Sequence, residues 1–264
     1  MKDEKTVLIT GGSSGIGYAI STYFAKAGFR ILWVSKPEEE LQQARQDLLQ
    51  LLPSVDLHTF AQDLSLEGST QATYEWAKQF GTIDVLINNA GFGTHGFLQE
   101  TPIEKELNMV RLNVLALYQL TRLFLDDMLA QDTGTIINIS SNSSFQPVAR
   151  MITYASTKAF VTHFSRGLQE ELDLQGSKVR VLTVCPSAIV DTPFSKDMRD
   201  VKTFNGLVYT TTAEVAKDVW QAFQNQKTFL VTGKRMRFFY SIRRLVPYAL
   251  QQYLTRKETE RIPS

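Results

Sequence analysis

The side chains with the clearest chemical potential are Tyr154 and Lys158, four residues apart in Tyr154-Ala155-Ser156-Thr157-Lys158. On a helix that spacing puts a phenol and an ammonium on one face. The cation favours phenolate and so lowers the phenol's pKa. Bringing a tyrosine from about 10 to about 7 takes about 4 kcal/mol of differential stabilisation. Such a pair suits a group that gives and takes a proton near neutrality. A second cluster is Thr10-Gly11-Gly12-Ser13-Ser14-Gly15-Ile16-Gly17 near the start of the chain. Glycines there permit a tight turn and let the backbone approach a diphosphate, whose charge a following helix N-terminus favours.

These residues need elements to hold them, and the chain alternates strand-like with helix-like segments. Strands are expected at Thr6–Thr10, Arg30–Ser35, Val55–Ala61, Ile83–Asn88, Gly134–Ser140, Lys178–Val184 and Thr228–Val231. Helices are expected at Gly15–Ala27, Pro37–Leu52, Glu67–Phe80, Glu104–Leu129, Thr153–Leu174 and Thr212–Gln226. The pattern predicts a doubly wound α/β domain with a parallel sheet of about seven strands. The glycine run then lies on the first strand-to-helix turn. There it also spells G-x-S-x-G, the nucleophile elbow of α/β-hydrolases, with Ser13 as nucleophile. That alternative fits poorly, because none of His58, His95 and His163 falls late in the chain and no earlier strand carries an oxyanion loop.

Composition bounds the reading. The 264 residues suit one domain, and 43% apolar with 21% charged residues excludes a disordered or fibrous chain. A net charge of +1 gives no reason to expect nucleic acid. The lone Cys185 excludes an internal disulfide and a two-cysteine metal site, and no metal is expected. Without a basic leader or an apolar run of spanning length, the expected location is the cytoplasm.

Taken together, Thr10–Gly17, Asp63, Asp84-Val-Leu-Ile-Asn-Asn-Ala-Gly91, Asn113, Ile139-Ser-Ser141 and Tyr154–Lys158 resemble the short-chain dehydrogenase/reductase family over about residues 5 to 232. The resemblance implies a Rossmann-type, nicotinamide-dependent oxidoreductase acting on a carbonyl compound or its alcohol. It implies that Tyr154 is the acid or base and that Lys158 holds the nicotinamide ribose and depresses the tyrosine's pKa. Ser141, thirteen residues before Tyr154, would polarise the substrate oxygen, with Ser140 as the structural alternative and Ser143 and Ser144 adding ambiguity. Asn113 would help hold a relay water. Gly11, Ser13, Ser14, Gly15, Ile16 and Gly17 would hold the diphosphate, Asp63 with Leu64 the adenine edge, and Asn89, Ala90 and Gly91 the adenosine ribose side. Pro186, Ser187, Ile189 and Thr192 would bound the nicotinamide. Here the chain departs from the family pattern, since Ser187 replaces the usual glycine and Thr192 comes one residue late. A related alternative is a regulatory protein that holds dinucleotide without turnover; loss of the tyrosine or lysine would signal it, and both are present.

The second strand ends in Ser35-Lys36 with no acid before Glu38, which favours NADP over NAD on charge complementarity. Phe92, Phe97, Phe145, Met151, Phe194, Met198 and Phe204 suggest an apolar pocket partly closed by a substrate loop at about 186–211. The helices Glu104–Leu129 and Thr153–Leu174 resemble those that pair subunits in the family, so a homo-oligomer, dimer or tetramer, is expected. The domain is expected to end near residue 233. Residues 234–264 form a basic amphipathic extension in which Pro247 must kink or restart a helix. Such a segment can lie on an anionic membrane, but packing on the domain or on a partner subunit is the favoured reading.

Overall fold

The computed structural model describes residues 5–189, 191 and 209–260. Seven strands form one parallel sheet: β1 (Thr6–Thr10), β2 (Arg30–Ser35), β3 (Leu57–Ala61), β4 (Val85–Asn88), β5 (Thr135–Ile139), β6 (Arg180–Cys185) and β9 (Phe229–Val231). Their spatial order is β3-β2-β1-β4-β5-β6-β9. Between them run α1 (Gly15–Lys26), α2 (Glu38–Leu51), α3 (Ser69–Lys78), α4 (Ile103–Val110), α5 (Leu117–Gln131), α6 (Ile152–Leu174) and α7 (Thr212–Gln224). The expected doubly wound, Rossmann-type sheet is therefore the observed one.

Alternation within each strand explains why helices cover both faces. Val7 and Ile9 join one buried cluster with Phe24 of α1, Leu41 of α2 and Val219 of α7. Leu8, between them, joins the other with Phe124 of α5 and Leu172 of α6. Ile31 and Trp33 against Leu32 and Val34 repeat the division, as do Ile137 and Ile139 against Ile136. A strand apolar on both faces reads as a continuous run, and only a sheet sandwiched between helices buries it.

Three features differ from the expected elements. The helix expected over Glu104–Leu129 is interrupted by a π-helical turn at Arg111–Ala116 between α4 and α5. Two short strands, β7 (Ala188–Ile189) and β8 (Tyr209–Thr210), pair in parallel outside the main sheet. Beyond β9, α8 (Lys234–Ile242), a 3-10 turn at Arg243–Leu245 and α9 (Tyr248–Glu260) continue the chain, with α9 starting directly after Pro247. Among the described residues no helix is long and apolar enough to cross a membrane.

Candidate active site

β1 and β4 are neighbours although β1 is followed in sequence by β2, and the site begins at this switch of direction. Thr10 Oγ1 accepts hydrogen bonds from the backbone N–H groups of Asn89 and Ala90, each at 3.0 Å. Asn89 Nδ2 donates in return to Thr10 O and Gly11 O, both at 3.0 Å. The glycine turn is thus braced to the end of β4. Gly11 and Gly15 have φ of +65° and +54°, a region that favours glycine. A Cβ at Gly17 would stand 2.2 Å from Gly11 O, so α1 can approach the turn this closely only without a side chain. Ile16 packs against the core. Ser14 occupies the N-cap of α1 in an extended conformation and its side chain makes no capping hydrogen bond. The first-turn N–H groups therefore receive no cap from Ser14 and no other side-chain acceptor among the described residues, which fits an anionic diphosphate.

Ser13 Oγ meets Ser35 Oγ at 2.7 Å. No histidine is among its described partners, so the hydrolase alternative has no base. Lys36 and Asp63, assigned separately to the 2′-phosphate and the adenine edge, are ion-paired with each other. Asp63 Oδ1 also accepts from Ser65 N–H at 2.9 Å and Ser65 Oγ at 2.6 Å. Burial raises the Asp63 carboxyl, but the Lys36 and Ser65 hydrogen bonds hold it below its ordinary value. Leu64 turns into the core.

Helix α6 carries Tyr154 and Lys158, and both are buried. Lys158 Nζ donates to Ile139 O at 2.9 Å and stands 5.9 Å from the centre of the Tyr154 ring. Tyr154 hydrogen-bonds Ser141. The expected depression of the phenol by its lysine is not what the chain produces by itself. Burial pushes Tyr154 up to about 12 and the Ser141 hydrogen bond offsets only part of that; burial also lowers Lys158 to about 8. Desolvation outweighs the ammonium because both charges are withdrawn from water together. A lysine ammonium has three donors, and a buried one bonded to a single carbonyl fits a polyhydroxyl ligand such as ribose.

Among the neighbouring serines, Ser140 and Ser144 are tied into the surrounding structure, while the buried Ser143 hydroxyl has no hydrogen-bond partner among the described residues. Ser140 Oγ donates to Lys158 O at 2.8 Å and contacts Thr162 Oγ1 at 2.7 Å, and Ser144 Oγ donates to Ser141 O at 2.6 Å. Both are occupied with structure. Ser141 Oγ accepts from Ser143 N–H at 3.1 Å, which orients it beside Tyr154. Asn113, in the π-helical turn, donates to Phe92 O at 2.9 Å and Thr157 Oγ1 at 3.1 Å and accepts from Phe92 N–H at 3.2 Å. Its amide is spoken for by protein. Gly91 lies against it, since a Cβ there would be 2.9 Å from Asn113 Oδ1.

Pro186 O accepts from Asn142 N–H at 2.9 Å. Ser187 is buried, its N–H donates to Thr232 Oγ1 at 3.3 Å, and its hydroxyl has no hydrogen-bond partner among the described residues. Ile189 lies in β7, and Thr192, Phe194, Met198 and Phe204 lie outside the described residues. Phe92 and Met151 join Met109, Val148 and Ala155 around Tyr154. Phe97 instead lies under Arg150, and Phe145 packs in tilted contact with Tyr240 of α8. Sequence reasoning carried Thr10, Ser35 and Thr157 inside its motifs but gave them no role of their own, because those roles rest on partners distant in sequence.

The fold and this constellation define a dinucleotide-dependent oxidoreductase class, and comparison identifies the family. The family model for short chain dehydrogenases matches residues 5–203. An uncharacterized oxidoreductase of Staphylococcus saprophyticus is 30% identical over 194 residues, 74% of this chain and 82% of the relative. An NADP-dependent 3-hydroxy acid dehydrogenase of Escherichia coli O6:H1 is 32% identical over 222 residues, 81% of this chain and 87% of the relative. A short-chain dehydrogenase from Sphingobium yanoikuyae, solved in complex with NADPH, superimposes with a TM-score of 0.78 at 28% identity, covering 86% of this chain and 87% of that one. The chain belongs to the short-chain dehydrogenase/reductase family and is an oxidoreductase of that family.

Proposed function

We propose that the protein interconverts an apolar carbonyl compound and its alcohol with NADP(H), using Tyr154 as proton donor and acceptor. The observation that carries this is the buried Tyr154 phenol, hydrogen-bonded to Ser141 and one helical turn from the buried Lys158 ammonium. The nicotinamide, when bound, supplies or accepts the hydride. Ser141 Oγ, held by Ser143 N–H, donates to the substrate oxygen and aligns it. During reduction the Tyr154 O–H bond breaks and its proton passes to that oxygen; in the reverse direction the phenolate takes the alcohol proton. Lys158 stabilises the phenolate and holds ribose hydroxyls with its remaining donors. Asn113 keeps α4–α5 and the Phe92 loop in place around them.

The N-terminus of α1 and the turn Gly11–Gly17 would hold the diphosphate. Lys36, with the Ser13 and Ser35 hydroxyls on the same rim, favours the 2′-phosphate of NADP, which would draw Lys36 from Asp63. NADPH in the Sphingobium structure and the NADP dependence of the Escherichia coli relative support this choice. The apolar surroundings of Tyr154, among them Phe92, Val148 and Met151, support an apolar substrate. A hydroxy or keto acid is a second reading. Arg150 lies close enough to lower the pKa of the half-buried His95, after burial itself, and could receive a carboxylate. Exposed Leu115 and Tyr118 on the central helices, and Phe160 on α6, support a homo-oligomer built on those faces.

The test is Tyr154→Phe. Turnover of a carbonyl panel, followed by NADPH absorbance, should fall about a thousandfold or more, the upper range for general acid catalysis. NADPH binding, followed by fluorescence, should persist. Near wild-type turnover in the variant would defeat the mechanism, and NADPH binding without turnover of any panel member by the wild type would favour a regulatory dinucleotide-binding role.

A further inference from the structure

Charge is divided unevenly along the chain. Residues 234–261 carry eight basic and two acidic side chains, net +6, while the remainder carries 20 basic and 25 acidic, net −5. In the structure one face of α8 is moored to the domain. Arg237 donates to Val231 O at 2.9 Å and pairs with Asp218 at 2.5 Å. Tyr240 packs in tilted contact against Phe229 and Phe145, with ring centroids 5.3 and 4.6 Å away. With that face fixed, Lys234, Arg235, Phe238 and Phe239 turn outward and line a shallow hollow. Phe238 is 63% exposed, Phe239 47%, and Leu245 just beyond the helix 83%. On α9, Tyr248 and Tyr253 are exposed as well.

Covering the core does not account for this surface, because Tyr240 does that and the phenylalanine pair is left out. Helix stability does not account for it either. Lys234 and Arg235 open α8 with no acid in its first turn, where the helix dipole disfavours cations, whereas Arg237 is offset by its pair with Asp218. The exposed Lys234 and Arg235, set beside uncovered aromatic rings, suit a partner that is both anionic and partly apolar. Cations flanking exposed aromatic rings match an anionic lipid surface, which pairs with the ammonium and guanidinium groups while the rings settle at the headgroup level. We propose that α8 and α9 form a peripheral docking surface for an anionic bilayer.

Flotation of the full chain with vesicles tests this without cofactor or substrate, so the result is independent of the enzymatic reading. Binding is expected to vesicles of phosphatidylcholine mixed with phosphatidylserine, to weaken as salt rises, and to be absent with phosphatidylcholine alone. The double variant Lys234→Glu/Arg235→Glu should bind about tenfold more weakly or worse. Phe238→Ser/Phe239→Ser should also lose binding, with circular dichroism and thermal melts verifying that both variants stay folded. No wild-type binding at low salt, or undiminished binding after charge reversal, overturns the proposal. So does a lipid-free dimer, detected by sedimentation, that the phenylalanine double variant dissociates, because a second copy would then cover the rings.

Discussion

Tyr154 and Lys158 hold their protons under opposite pressures, since burial strengthens the phenol's grip and loosens the ammonium's. Below about 8 both groups are protonated; above it Lys158 loses its charge while Tyr154, at about 12, keeps its proton. If reduction needs the ammonium, kcat/KM for a carbonyl substrate should hold to about pH 8 and then fall about tenfold per unit. A profile that stays flat through the alkaline range would remove the Lys158 charge from the chemistry. At the opposite end of the site, Lys36→Asp would set a second carboxylate beside Asp63. That change should repel the 2′-phosphate and move the NADPH/NADH ratio of kcat/KM toward NADH by about tenfold or more. Steady-state rates with both cofactors decide it, and a wild type that already prefers NADH would contradict the role given to Lys36.

Two glycines show how element geometry decides the sign of one substitution. Gly17→Ala would drive a Cβ into Gly11 O at 2.2 Å and Asn89 Nδ2 at 2.6 Å, with backbone and a braced amide unable to yield. Overpacking of this kind costs about 1–3 kcal/mol. Gly167→Ala, within α6 with nothing inside 4 Å of the added carbon, should instead stabilise by about 0.5–1 kcal/mol. Urea melts of the two variants should shift in opposite directions. The strands were legible in the sequence because parallel strands buried on both faces are uninterrupted apolar runs, and boundaries such as Val55 against Leu57 differ only where the run tapers. The turn at Arg111–Ala116 was not legible, because a single π-helical turn is set by a local i→i+5 hydrogen-bond pattern for which the side-chain sequence carries no distinct signature. The two-residue strands β7 and β8 are too short for any periodicity. Among the candidate residues, local motifs brought out Tyr154 and Lys158, which lie in the first turns of α6, and the glycine turn, which opens α1. The Lys36–Asp63 pair depends on a contact across 27 residues that no local pattern announces.

The strand order gives the whole molecule a seam between its halves. β1 pairs with β2 at Val7↔Ile31 and with β4 at Val7↔Val85, so its two edges are filled by segments made at very different times. As the chain leaves a ribosome, the first 61 residues can assemble β1, β2 and β3, but the other edge of β1 stays bare until Val85–Ile87 have been made. At ordinary elongation rates that interval is on the order of seconds. For that time an apolar strand presents unpaired backbone groups, the kind of edge that recruits a wrong partner. The same arrival brings Asn89 to Thr10 and Gly11. Docking of the fourth strand therefore covers the bare edge of β1 and completes the glycine turn in one event, while the open edge passes to β4 until β5 pairs with it.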